Sequence, residues 1–80
     1  MSSKDRYNQI IRAVFELKEY EEIDEMMTRE NTPKWDSLLH LTFVVAIEDE
    51  FGIILDTDNI LNLNSYDAGL DIIKKMILEN

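Results

Sequence analysis

Apolar positions recur at helical spacing in four stretches of this chain, separated by polar residues that cap or break helices. From about Lys4 to Lys18, the residues Tyr7, Ile10, Ile11, Val14, Phe15 and Leu17 fall on one side of a helix. A long Glu-rich connection follows, from about Glu19 to Lys34, and ends at Thr32-Pro33, where Pro33 stops any helix from running through. A connection of that length needs an anchor, and Ile23, Met26 and Met27 are the apolar residues placed to pin it to the core. The pattern then predicts a second helix from Asp36 to Phe51-Gly52. The Asp36 carboxylate can cap its free N–H groups, and Gly52 can take the left-handed turn that ends it. Asp56-Thr57-Asp58 opens a short third helix over about Thr57 to Leu61. A fourth runs from about Ser65 to Leu78, capped by Asn64 or Ser65, with Tyr66, Leu70, Ile73 and Ile77 inward. Gly69 lies in that stripe, where a missing side chain lets another helix come close. Phe51 to Leu55 is apolar but short and unpaired, so no strand is expected. The expected fold is all-α: a small antiparallel four-helix bundle, three longer helices and one short, in one domain over residues 1–80.

The second helix has more apolar surface than a bundle needs. At about 100° per residue, Phe43, Val44, Ile47 and Phe51 share a face with His40, which must point inward. Leu38, Leu41 and Val45 share the opposite face, flanked by Thr42, Glu48 and Asp49. A bundle helix requires only one apolar stripe. Burying a large aliphatic side chain is worth about 1.5–3 kcal/mol, so leaving these wet forgoes that stabilisation. An apolar patch rimmed by acids reads as a docking surface, the alternative being cover by the connection or the third helix.

Composition narrows the chemistry. Eighty residues at 45% hydrophobic content bury about 60–65% of their unfolded surface, enough for a small bundle but not for a deep catalytic cleft as well. A free-standing enzyme is therefore not expected. There are no cysteines, which excludes disulfides, thiolate zinc sites and cysteine nucleophiles and fits a reducing compartment. The start, Met1-Ser2-Ser3-Lys4-Asp5-Arg6, is polar, and no apolar run nears the ~20 residues of a membrane span. A cytoplasmic protein is expected. Net charge is −9, and from Trp35 to Ile73 there is no Lys or Arg. Asp36, Glu48, Asp49, Glu50, Asp56, Asp58, Asp67 and Asp71 all fall in that stretch. Such a surface repels nucleic acid and anionic lipid and attracts basic protein patches, although acidity also serves solubility alone.

Candidate reactive residues are few. Ser37 follows the Asp36 cap, at the positive end of the second helix, where an attached anion is favoured. By itself, Asp-Ser at a helix start is ordinary capping. His40 lies three residues on, but a catalytic Ser–His pair needs an orienting group and an oxyanion site, and His40 faces the core as a packing residue. A calcium loop starting at Asp56 would need Gly where Leu61 stands and Glu where Asp67 stands, so that reading fails. Glu48-Asp49-Glu50 point in different directions around a helix and read as a solvated rim, not a metal site. The four Met residues read as core filler, and Trp35 as a packing residue stapling the helix entrance.

The order of these residues carries more than any one of them. Asp36-Ser37-Leu38, then Leu41, Val44 and Val45, then Ile47-Glu48-Asp49-Glu50-Phe51 resembles the phosphopantetheine attachment region of acyl carrier proteins. The resemblance continues through Ile53, the acidic short helix and Asn64-Ser65-Tyr66, covering about Thr32 to Ile77 without a gap. Trp35 before the motif resembles a subgroup of carriers from specialised pathways. The resemblance implies that a phosphopantetheinyl transferase places 4′-phosphopantetheine from coenzyme A on the Ser37 oxygen, between Asp36 and Leu38. The arm's thiol then holds acyl groups as thioesters. The resemblance implies that the acidic second helix, with Glu48 and Asp49, docks on basic patches of the acyl-loading and acyl-using enzymes, and Leu38, Leu41 and Val45 are the apolar part of that partner-binding face. The acyl chain can fold back between the helices, and the carrier, expected to be a monomer, supplies no catalytic residue and no metal site. The chain departs from the fatty-acid carriers at Leu39 and Thr42, where acids are common. It also has Leu55-Asp56 where a Pro is common, which is expected to loosen that loop. Leu39 and Thr42 count against ordinary fatty-acid synthase partners, and with Trp35 the expectation is a specialised pathway, such as a secondary metabolite, a modified lipid or a surface polysaccharide. An aminoacyl or peptidyl carrier is the alternative within the class. From another class, the alternative is an unmodified acidic adaptor binding a basic protein through Leu38, Leu41 and Val45.

Overall fold

Ser2 opens the first helix by accepting a hydrogen bond from the Asp5 N–H on its hydroxyl, 3.1 Å away, in a computed structural model that describes residues 2–78. The four helices are α1 (Ser3–Val14), α2 (Ser37–Phe51), α3 (Thr57–Asn62) and α4 (Tyr66–Leu78). Among the described residues no helix is long and apolar enough to cross a membrane, and no acidic or histidine cluster could hold a metal.

α1 is shorter than its periodicity suggests, ending at Val14 and not at Lys18. Glu16 turns the chain left-handed at φ 54°; its N–H bonds to Ala13 O, while the Leu17 N–H bonds to Arg12 O at 2.9 Å. That pair of bonds is a regular helix ending, normally marked by Gly. A residue with a Cβ costs about 1–2 kcal/mol in that conformation. The surroundings hold the turn: Phe15 is buried, the Lys34 ammonium donates to Phe15 O, and Arg12 reaches Glu21 O at 2.9 Å.

α1 runs antiparallel to both α2 and α4. Arg6, near its start, grips Glu50 at the end of α2 at 3.0 Å and lies 4.5 Å over the Phe51 ring. Phe15, at its other end, stands edge-on to Trp35 and Phe43, with centroids 5.2 and 5.6 Å away. Tyr7 donates to Tyr66 O at 2.8 Å at the start of α4, whereas Ser3 and Lys4 share a groove with Lys74, Ile77 and Leu78 at its end. Gly69 permits this approach, as a Cβ there would collide with the Tyr7 hydroxyl and come within 2.9 Å of Leu63. Burial, helped by the nearby Tyr66 and Asp67, holds the Tyr7 phenol far above its ordinary range. Ile77, expected inward, is 36% exposed and lines the open groove it shares with Ser3 and Lys4. Ser65 caps α4, accepting from the Ala68 N–H at 3.0 Å.

The connection is anchored differently from expectation. Met27 is buried and Ile23 packs on the core, but Met26 is 80% exposed. A tight turn, in which Asp24 accepts from the Met26 N–H, sends the two neighbouring methionines to opposite sides. Of the other methionines, Met76 is half-buried and Met1 lies outside the described residues. The main anchor is backbone pairing: Arg29 N–H to Asn64 O at 2.8 Å and Tyr66 N–H to Met27 O at 3.0 Å form one antiparallel bridge between Thr28 and Ser65. No β-strand forms among the described residues. The core gathers Tyr7, Ile11, Phe43, Ile47, Leu63, Tyr66 and Ile73, all fully buried.

Candidate functional site

The N-terminus of α2 is built by Asp36. Its backbone is extended, its carbonyl takes the first helical bond from His40 N–H at 2.9 Å, and its carboxylate accepts from Leu39 N–H at 2.9 Å. Helix geometry leaves the N–H groups of Ser37 and Leu38 without an acceptor inside the helix. Ser37 is the first helical residue and is exposed. Its hydroxyl therefore stands in water at the positive end of a capped helix.

Trp35 sits deeper than an entrance staple. It is 3% exposed, edge-on to Phe43 with centroids 5.6 Å apart, and its indole N–H donates to His40 Nδ1 at 3.1 Å. Since an indole only donates, Nδ1 must accept, and the proton lies on Nε2, which donates to Ile60 O at 2.9 Å. Both ring nitrogens of this buried histidine are engaged, so His40 is a packing and bonding residue and cannot act as a base for Ser37. The bond also ties α2 to α3, a helix with no buried residue of its own.

The outer face of α2 is open. Leu38 is 75% exposed, Leu41 60% and Val45 53%, so neither the connection nor α3 covers them. Ile54 and Leu61, which periodicity did not single out, are exposed as well. The run Ile53-Ile54-Leu55 alternates buried, exposed, buried, but all three residues are apolar, so the sequence carries no alternation that marks Ile54 as the outward one.

The acidic triplet divides three ways. Glu48 is half-buried, and its Oε2 accepts from Leu55 N–H at 2.8 Å. Glu50 pairs with Arg6. Asp49 is exposed. The solvated-rim reading thus holds for Asp49 and for Glu50, which stays exposed while pairing with Arg6, and is replaced at Glu48 by an intramolecular bond. The Glu48 bond also overturns the expected loosening before α3. Leu55 supplies a backbone donor that a Pro would lack, and its side chain is buried.

Chemically, the site offers an accessible hydroxyl on a rigid frame beside exposed apolar surface. Among the described residues close to it in sequence, His40 has both ring nitrogens engaged and Asp36 accepts the Leu39 N–H. An open groove of about 440 Å³ runs between α1 and α2, lined by Ile10, Ala13, Val14, Ala46 and Asp49 among others. Another, of about 510 Å³, lies beside Trp35 and Arg29. Comparison with protein-family models, with curated proteins and with solved structures gives no match to this chain.

Proposed function

We propose that this protein is an acyl carrier, holding acyl groups as thioesters on a 4′-phosphopantetheine arm attached to Ser37, in a specialised pathway. One observation carries the reading: the motif serine is exposed as the first residue of a capped helix, with an open apolar face directly below it. The Ser37 oxygen would hold the arm by one covalent bond. The N–H groups of Ser37 and Leu38 favour its phosphodiester by about 0.3–1 kcal/mol, the usual worth of an exposed charge at a helix end. When bound, the arm supplies the thiol on which acyl groups travel. The chain itself holds the attachment point rigid through the Asp36 cap and leaves the chemistry to partner enzymes.

Intact mass after incubation with a broad-specificity phosphopantetheinyl transferase and coenzyme A tests the reading. One phosphopantetheine increment is expected, absent in Ser37→Ala with its helical circular dichroism unchanged. An unmodified chain would favour an acidic adaptor that binds through the same apolar face.

A further inference from the structure

We propose a second ligand site, at the far end of the bundle from Ser37. The groove between the start of α1 and the end of α4 binds a medium-chain aliphatic carboxylate, its tail against Ile77 and Leu78 and its head at the Lys74 ammonium. Among the described residues the groove, about 330 Å³, is lined by Ser2, Ser3, Lys4, Lys74, Ile77 and Leu78. That volume is at the small end of the range for ligand sites, about 300–1,000 Å³, and aliphatic walls with few polar groups are their usual make-up. Arg6, half a turn past Lys4, meets Glu50 at the end of α2, so the groove belongs to the end of the bundle opposite Ser37. The 15 residues of α2, about 22 Å of helix, lie between the two. The proposal is therefore independent of the carrier reading.

Charge selects the ligand. The other two grooves carry acids, Asp49 and Glu50 in one and Glu30 in the other, whereas this one has none among its described lining residues. No Lys or Arg occurs from Trp35 to Ile73, and Lys74 is the first cation after that stretch. Lys4 pairs with Glu25 at 3.4 Å, while Lys74 is exposed and forms no ion pair among the described residues. An ammonium on the rim of an aliphatic groove is matched by an anion that carries an aliphatic chain, and the stems of Lys4 and Lys74 add to the apolar wall. Leu78 is 84% exposed, so a tail laid on it withdraws it from water. A second copy of this chain is a poor occupant, since each brings a net charge of −9, and the same charge opposes an anionic membrane.

Isothermal titration of the full, unmodified chain with decanoate below its micelle concentration tests the site. One saturable site is expected, with amide shifts in NMR spectra confined to residues 3–4 and 74–78. Leu78→Gln should weaken binding about tenfold with helical circular dichroism intact. Lys74→Gln should weaken it about three- to fivefold, and decanol should bind the unaltered chain as weakly as decanoate binds that variant. Uptake that does not saturate, shifts along α2, or a silent Leu78→Gln would overturn the site. Equal binding of decanol and decanoate would overturn the role of Lys74. Concentration-dependent dimers in sedimentation, abolished by Leu78→Gln, would overturn the carboxylate and make a second copy the occupant. Attachment of an arm at Ser37, scored separately by intact mass, is untouched by any of these outcomes.

Discussion

The two sides of α2 use the same kinds of residue for opposite ends. Phe43, Val44 and Ile47 are sealed in the core, whereas Leu38, Leu41 and Val45 on the same helix stand more than half in water. What distinguishes them is their company. The inner side carries two aromatic-ring partners for Phe15 and Tyr7, namely Trp35 just before the helix and Phe43 within it, together with a doubly bonded histidine. The outer side carries the aliphatic Leu38, Leu41 and Val45 with no ring among them, and at its border Glu48 accepts from the Leu55 N–H. Hydrophobicity alone therefore says that both sides want burial; rings and satisfied polar atoms say which side is already buried.

Substitutions can press on that contrast. Phe43→Ala, on the inner side, should cost about 3–5 kcal/mol. For a small domain that is a large share of the total, and urea unfolding should show a collapse of the midpoint; a shift no larger than for a surface change would mean the inner side is not the core. At the border, Glu48→Gln should cost about 1–2 kcal/mol, because it weakens a charged acceptor facing the Leu55 N–H. Asp49→Gln beside it should be nearly silent. A charge change at Asp49 therefore probes the acidic rim alone, since altering Glu48 also disturbs the loop before α3.

The inner side also has a pH signature. The Tyr7 phenol is raised in the folded state, so its contribution to stability is complete below the unfolded value of about 10 and is lost as pH climbs above it. Thermal scans should show alkaline destabilisation that is blunted in Tyr7→Phe, at a cost of about 1 kcal/mol near neutrality for the lost bond to Tyr66 O. Identical alkaline behaviour in the two proteins would argue against a buried phenol. Smallest of all, Leu41→Gln on the outer side should leave stability within about 0.5 kcal/mol, read from the same unfolding curves.

How far the sequence discloses this arrangement depends on whether a side chain or the backbone carries the signal. Both ends of α2 were legible because Asp36 and Gly52 are residues whose chemistry demands those places, the carboxylate on Leu39 N–H and the left-handed φ of 63°. The end of α1 was not, because the same left-handed position is filled by Glu16, whose side chain gives no hint of it. Gly69 was readable as a close approach, although its partner Tyr7 was not. At the candidate site, Ser37, its cap and the open apolar face follow from spacing. The inward commitment of Glu48 does not, since it answers a loop N–H seven residues away that no helical period addresses. The bridge between Thr28 and Ser65 escaped for a similar reason: two bonds between lone residues leave no alternation to detect.

That bridge has a consequence for how the molecule comes apart. By fastening Met27 and Arg29 to the residues that open α4, it makes the long connection a strap buckled at its midpoint. The segment from Met27 to Arg29 stays held while the buckle holds, and the unwinding of the first turn of α4 releases it. A protease nick within that segment would thus report the opening of a distant helix, not idle loop motion.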